Sequence, residues 1–169
     1  ATITASAKAV ATNFRLDVDA LAQQQSVSSA ALPPTTLPGA GTLTLQLGTW
    51  STGGASFTAG AAASVDVTLD AADTLSTMAN KINATNSGVV ATVFNDGANE
   101  RLLLSSKTTG AAAGFRVQSA DPALAAFVFD PENQPGAGMA DPVIPIQYGQ
   151  DAKARINGLA VTSATNTLT

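Results

Sequence analysis

Short segments in which apolar and polar residues alternate recur along the chain, and they constrain its fold more than any other feature. A period of two places apolar side chains on one face of a β-strand. The segments that show it, or that form short apolar runs, are residues 14–18, 43–47, 65–69, 89–94, 101–105, 115–117 and 144–148. Residues 89–94 and 101–105 are joined by turn-forming residues and predict a hairpin. The sequence therefore predicts a mainly β fold.

One or two short helices interrupt this pattern, which makes the predicted class α+β. A spacing of three and four apolar residues predicts a helix near 74–86, with Asp73 as its N-cap and Gly88 as its terminator. Asp121 followed by Pro122 predicts a second, short apolar helix that runs toward Phe129.

Two stretches rich in proline and glycine divide the chain into parts. The first, residues 32–41, follows the polar residues 23–29, and the second is residues 130–142. Proline removes a backbone donor and favours extended structure, so both stretches are interpreted as linkers.

The tail of the chain predicts a second hairpin. Asn157 and Gly158 form a two-residue turn that places Ile156 opposite Leu159, and Ala154 opposite Val161. A lone hairpin is marginal in water, so we expect the tail strands to pair with the strand at residues 14–18. This predicts two domains: a discontinuous β domain of residues 1–36 and 142–169, and a β-rich domain of residues 37–141 inserted into it.

The composition excludes several classes of function. The chain has no His and no Cys, which removes imidazole and thiol catalysis, disulfides and the usual zinc and haem sites. Eight Lys and Arg against twelve Asp and Glu give a net charge of −4, and the cations are scattered. Nucleic acid is therefore not an expected partner. We also expect no cofactor and no metal.

No apolar run approaches the roughly 18 residues that span a bilayer, so a membrane is not an expected partner. Residues 1–7 lack the basic and apolar regions of a signal peptide. Ala1 is not an ordinary translation start, and we expect the chain to be a fragment of a longer protein.

Asp17 and Asp19 form a carboxylate pair on one face of a predicted strand, with a spacing suited to catalysis. Two residues apart on a strand, they are separated by about 6.6 Å, close to the spacing of paired carboxylates in glycosidases. Alternation with apolar residues explains the same pair as the solvated face of a strand, and this interpretation is favoured.

Two further sets of oxygen-bearing residues resemble calcium ligands only loosely. They are Asp96, Asn99 and Glu100, and Asp130, Glu132 and Asn133. Neither set has the spacing of a calcium-binding loop, and both are interpreted as turn residues. No catalytic residue is therefore predicted, and we expect that the protein is not an enzyme.

Three other features carry a weaker signal. Lys107 to Gly110 resembles the Lys-Thr-Gly triplet of penicillin-recognising enzymes but has an extra Thr, and that interpretation is rejected. Asn83, Ala84 and Thr85 form a glycosylation triplet that falls on the predicted helix. Trp50 is either a plug at the end of the sheet core, which is favoured, or a contact residue at a protein interface.

Three segments together resemble the flagellar filament cap family, the type 2 hook-associated proteins. The first is residues 5–32, ASAKAVATNFRLDVDALAQQQSVSSAAL. The second lies within residues 41–117 and contains GTLTLQLG and DTLSTMANKINATNSGVVATVFNDGANERLLLSSKTTGAAAGFRV. The third is residues 149–169, GQDAKARINGLAVTSATNTLT, which is similar to a repeat shared by flagellin-related proteins.

The resemblance implies a non-enzymatic structural protein of the bacterial flagellum. The chain would comprise the two outer domains, with residues 37–141 on the head side and the discontinuous domain on the leg side. It would lie outside the cell at the filament tip after export by the flagellar type III route. The whole protein would form a ring with other copies of itself and promote flagellin assembly, while the fragment alone would be monomeric or weakly associating.

Two alternatives stay open at this stage. The tail repeat is shared, so the chain could be an outer domain of flagellin or of a hook–filament junction protein. An extracellular carbohydrate-binding β domain is the second alternative, and it depends on Asp17 and Asp19.

Overall fold

The computed structural model describes residues 13–133, 138–139 and 144–168. Its strands are β1 Leu16–Ala20, β2 Ser26–Ser28, β3 Gly41–Trp50, β4 Phe57–Ala59, β5 Val65–Leu69, β6 Val89–Asn95, β7 Glu100–Ser106, β8 Gly114–Gln118, β9 Ala152–Ile156 and β10 Leu159–Ser163. Helix α1 spans Leu75–Ala84, and 3-10 turns occur at Thr52–Gly54, Ala111–Ala113 and Pro122–Phe127. The predicted α+β class, mainly β with short helices, is confirmed.

The strands form three antiparallel sheets. The terminal sheet has the order β1-β9-β10, and the hairpin sheet has the order β2-β7-β6. In the third sheet β3 pairs with β4, β5 and β8. Strand β3 is ten residues long and alternates buried and less buried positions, as its Leu-Thr repeat predicts.

The terminal sheet joins the two ends of the described chain. Leu16 of β1 lies opposite Ile156 of β9, which confirms the predicted pairing of the first strand with the tail. Ile156 lies opposite Leu159 and Ala154 opposite Val161, and the turn between them has positive φ at Asn157 and Gly158, as predicted for this hairpin. The division into a discontinuous domain and an inserted domain stays a prediction.

The apolar core lies where α1 and the other two sheets meet. Its largest fully buried side chains are Phe115, Phe127, Phe129, Leu43, Leu45, Leu69, Leu75, Met78, Ile82, Leu102, Leu104 and Leu124. Each such side chain contributes about 1.5–3 kcal/mol of transfer free energy. We call the part of the chain around this core the central body; it comprises residues 25–133, 138–139 and 144–148.

Helix α1 begins one residue later than predicted. Its N-cap is Thr74, whose hydroxyl accepts from the Thr77 N–H at 3.2 Å while the Thr77 hydroxyl accepts from the Thr74 N–H at 2.8 Å. Asp73 does not cap the helix, because its carboxylate is already bound by the Asp70 N–H and by Lys81. The helix ends at Ala84, before Gly88, which lies in the following loop with φ +77°.

The predicted second helix is a 3-10 turn of six residues, Pro122–Phe127. Asp121 makes no capping bond to it; its carboxylate accepts instead from the Thr42 N–H at 2.8 Å. The turn cannot continue because Phe129 exchanges two backbone hydrogen bonds with Val117 and so becomes extended.

The polar residues 23–29 contain a strand that the sequence did not predict. Residues Ser26–Ser28 form β2, which pairs with β7, and Val27 is buried in the core. Val27 is the only apolar residue of this strand, so the hydropathy pattern of the sequence does not reveal the strand. Of the second predicted linker, residues 134–137 and 140–142 lie outside the described residues, and Asp130 to Asn133 form a turn.

The strand predicted at 144–148 is also absent from the described residues. Only isolated bridges form there, from Gln147 to Ser26 and from Gln150 to Gln23. Pro145 is the second residue of the segment and has no N–H for a ladder. Among the described residues no helix is long and apolar enough to cross a membrane.

Candidate functional site

Asp17 and Asp19 lie on the polar face of the terminal sheet. An oxygen of Asp17 lies 2.9 Å from Nε of Arg15, and an oxygen of Asp19 lies 3.3 Å from Nε of Arg155. Both carboxylates are well exposed, and each is held by its own arginine. Paired in this way, they form a solvated ion-pair surface, which is the interpretation that the sequence favoured.

The acidic residues of the β6–β7 hairpin build its turn. One oxygen of Asp96 accepts from the N–H groups of Ala98 and Asn99, at 3.0 and 2.7 Å, and the other from Arg101 at 3.0 Å. These bonds, the backbone bond from Asn99 first, lower the pKa of Asp96. Asn95 donates to Glu100 at 3.2 Å. The set therefore serves as turn residues.

The second acidic set lies at the turn that follows Phe129. Asp130 is 3% exposed, and one of its oxygens accepts from Gln118 at 2.6 Å and from Asn133 at 2.8 Å. Its other oxygen has no hydrogen-bond partner in the part of the chain that the structure describes. Glu132 turns away to accept from the Phe57 N–H at 3.2 Å. Among the described residues, no three Asp or Glu side chains are grouped closely enough to hold a metal.

The strongest charge cluster fastens the start of α1. Nζ of Lys81 lies 2.6 Å from Asp73 and 3.0 Å from Asp70. The hydrogen bond from Lys81 is the main cause that lowers the pKa of Asp73, and the same bond raises the pKa of Lys81. Both groups are therefore more firmly ionised in the folded chain, which suits an ion pair and not a general acid or base.

The side chain of Asn83, the first residue of the glycosylation triplet, binds the backbone of β6. Its side-chain amide donates to the carbonyl of Ala91 at 2.7 Å and accepts from the Ala91 N–H at 2.8 Å. The amide takes the place of a strand partner at the outer edge of β6. Sequence reasoning missed this role, because it needs the last turn of α1 to lie beside the strand that follows it.

Gln25 performs the same task at the edge of β8. It is fully buried; its amide donates to the Phe115 carbonyl at 2.7 Å and accepts from the Phe115 N–H at 3.0 Å. The Phe115 carbonyl accepts a second bond from the indole N–H of Trp50, at 2.9 Å. Gln25 thereby links β8 to the strand β2 that begins beside it.

Trp50 lies at the centre of an aromatic cluster. Its ring centroid is 4.8 Å from that of Phe57, 5.7 Å from Phe129 and 6.1 Å from Tyr148. The guanidinium of Arg116 covers the Phe57 ring at 4.8 Å, and burial raises the pKa of Tyr148. Trp50 is 9% exposed, so the structure places it as a core plug. A partner contact through Trp50 stays a prediction.

Two exposed apolar surfaces were not predicted. On the hairpin sheet, Phe94 is 59% exposed and shares an outer face with Val90. On the terminal sheet, Val18 is 54% and Leu159 is 72% exposed, on the face that the sequence predicted to be half-buried. A half-open cavity of about 320 Å³, lined by Ile156, Val161, Thr162, Ser163, Thr167 and Leu168, lies at this sheet. The described residues provide only one layer here, so the face stays open.

Residues 51–108 match the model of the flagellin hook IN motif, which includes α1 and the β6–β7 hairpin. Comparison with curated proteins finds no match.

The similar solved structures decide the fold. The D2–D3 domains of the flagellar cap protein FliD from Escherichia coli match 98% of this chain and 80% of theirs, with a TM-score of 0.79 and 24% identity. This is the fold of flagellar cap D2–D3 domains. FliD (HAP2) from Pseudomonas aeruginosa PAO1 matches with a TM-score of 0.66 and 24% identity, over 98% of this chain and 72% of that chain.

The resemblance to the cap family is thus confirmed in the fold. The chain spans 44% of the length of the E. coli FliD D1–D2–D3 structure, which it matches with a TM-score of 0.77, 24% identity and 98% of its own length covered.

Proposed function

We propose that the chain is part of a flagellar filament cap, a structural protein at the filament tip outside the cell. The observation that carries the proposal is the match of 98% of the chain to the cap-protein D2–D3 fold. The hook IN motif at residues 51–108 supports the same assignment from sequence. In its whole form the protein would assemble with further copies and with flagellin.

The chemistry of the described side chains supports a non-enzymatic role. Asp17 and Asp19 are each paired with an arginine, and the acids near Asp96 build a turn. A scaffold that contacts flagellin transiently needs polar, exposed surfaces more than a deep apolar pocket. The chain offers such surfaces on the Asp17 and Asp19 face of the terminal sheet and at the β6–β7 turn.

We also propose that the discontinuous domain of residues 1–36 and 142–169 faces the leg side of the cap, and that residues 37–141 form its head side. The pairing of β1 with β9 supports the first part. The chain alone would be monomeric or weakly associating in sedimentation experiments.

Immunogold electron microscopy tests the proposal. Antibodies raised against the 169-residue chain are applied to filaments of the source cells, with cells lacking the parent gene as control. Labelling confined to filament tips is the expected result. Labelling along the filament would replace the proposal with a flagellin outer domain, and labelling at the hook–filament boundary would replace it with a junction protein.

The carbohydrate alternative has its own test. A glycan array is probed with the chain and with the Asp17→Asn, Asp19→Asn double variant. We expect no binding from either protein. Binding that the double variant loses would revive a carbohydrate-binding domain.

A further inference from the structure

The terminal sheet is joined to the central body by polar contacts and not by the apolar core. Residues of β1, β9 and β10 take no part in the core cluster, which runs from Val27 to Met139. Two chain segments connect the parts, residues 20–25 and residues 149–151. The orientation of the sheet therefore depends on what fastens these segments.

The two connecting segments lie side by side and are joined by hydrogen bonds. The Gln23 N–H donates to the Gln150 carbonyl at 2.9 Å, and the Gln150 N–H donates back at 3.2 Å. Asn166, which follows β10, holds Ala22 with its side-chain amide through bonds of 2.7 and 3.1 Å. These bonds connect the segments to each other and to the tail.

The loop of residues 107–113 connects the same place to the central body. The Gly110 N–H donates to the Gln23 carbonyl at 3.1 Å, and the Ala111 N–H donates to Asp151 at 2.8 Å. The Thr109 hydroxyl donates to the carbonyl of Ala164, beyond β10, at 2.7 Å. One short loop of the central body thus holds the segment that leaves the terminal sheet, the segment that returns to it and the segment after its last strand.

Two glycines make this contact close. Gly110 has φ +107°, and a Cβ there would lie 2.9 Å from the Cβ of Ala164 and 3.1 Å from an oxygen of Asp151. A Cβ on Gly149 would lie 2.6 Å from the Gly110 carbonyl oxygen. Larger residues at either position would push the loop away from the tail.

We propose that residues 107–113 are a latch that fixes the angle between the terminal sheet and the central body. When the latch is released, residues 20–25 and 149–151 act as a hinge. A polar seam of this kind opens at lower cost than a packed core, so the terminal sheet moves as a unit while the body stays folded. The joint is a property of the chain, and only its use in a cap rests on the proposed function.

Spin labels test the latch directly, because the chain has no cysteine. Phe94→Cys and Leu159→Cys place nitroxides on two exposed positions, one in the hairpin sheet and one in the terminal sheet. Double electron–electron resonance is expected to give one narrow distance distribution for the unaltered latch. Gly110→Ala and Asn166→Ala are each expected to broaden or shift it.

The matched control is Gly53→Ala. Gly53 also has positive φ, +79°, but nothing lies within 4 Å of its would-be Cβ, so the distance should not change. Emission from the single tryptophan, Trp50, reports whether the central body is folded in each variant. Asn166 is exposed, so its replacement by Ala keeps the test valid if Gly110→Ala fails to fold.

Hydrogen exchange adds an independent readout. The Gln23 and Gly110 amides should exchange about tenfold faster in Asn166→Ala, while amides of β7 keep their protection. A broad distance distribution in the unaltered chain would overturn the latch. So would distributions for Gly110→Ala and Asn166→Ala that match the Gly53→Ala control. Neither result bears on where the antibodies label the filament, so the two proposals fail separately.

Discussion

The carbonyl of Phe115 accepts two buried hydrogen bonds, one from Gln25 and one from Trp50, and this sharing makes a quantitative prediction. Removing either donor alone leaves the carbonyl with the other. Removing both leaves a buried acceptor with neither bond. The losses of stability should therefore exceed the sum of the single effects.

Gln25→Ala removes more than one bond. The Phe115 N–H, which donates to Gln25 at 3.0 Å, loses this acceptor, at a cost of about 1–3 kcal/mol. Truncating a fully buried side chain adds a packing loss, so the expected total is about 3 kcal/mol. For a chain of this size, that lowers Tm by about 6–12 °C.

Trp50→Phe removes the indole N–H and keeps most of the ring packing. We expect a loss of about 1–2 kcal/mol, because the Phe115 carbonyl still accepts from Gln25. The double variant should lose about 1–2 kcal/mol beyond the sum, since only then is this acceptor deprived of both bonds.

Urea unfolding followed by far-UV circular dichroism measures all four proteins, and it does not depend on Trp50. Gln24→Ala is the control: Gln24 is the exposed neighbour, and its replacement should change stability by less than about 0.5 kcal/mol. Additivity of the two substitutions within about 0.5 kcal/mol would refute the shared acceptor.

Three shorter predictions concern surface residues. The fold lowers the pKa of Asp96 below its ordinary value of 3.8, so the charge of Asp96 stabilises the fold above pH 3.8. This contribution is lost as the pH falls through the lower pKa of the folded chain. Urea titrations should therefore show that Asp96→Asn is less stable than the parent near neutral pH and equally stable in acid. Leu159→Ser should reduce dye binding and weak self-association in sedimentation, with stability kept within about 0.5 kcal/mol, and an unchanged association would exclude this face as its cause. Asn83→Ala should speed hydrogen exchange at the Ala91 N–H, while equal exchange would show that the amide does not protect the β6 edge.

The sequence predicted most of the strands because local pattern decides them. Alternation located β3, β5 and the β6–β7 hairpin, and Asn157 with Gly158 located the tail turn. The pairing of β1 with β9 followed from the marginal stability of a lone hairpin, although the partners are far apart in the chain.

The errors occurred where a distant contact overrides the local pattern. Strand β2 has one apolar residue, Val27, and it forms because its backbone pairs with the edge of β7. Asp73 has the composition of an N-cap, but Lys81, two turns later, binds its carboxylate. The role of the proposed latch could not be predicted from the sequence, since a glycine after two threonines is ordinary loop composition.

The Asn83 amide, which covers the edge of β6, also affects the choice of expression host for this chain. A eukaryotic secretory host would recognise the Asn-Ala-Thr triplet, and a sugar joined to the side-chain nitrogen would place a bulky group on the atom that now donates to Ala91 and so disturb that bond. The unpaired backbone groups at the edge of β6 would then be exposed to neighbouring molecules, and protein produced in such a host would aggregate more readily. Expression in bacteria, or a Thr85→Ala substitution that removes the triplet, leaves the hydrogen bonds between Asn83 and Ala91 in place.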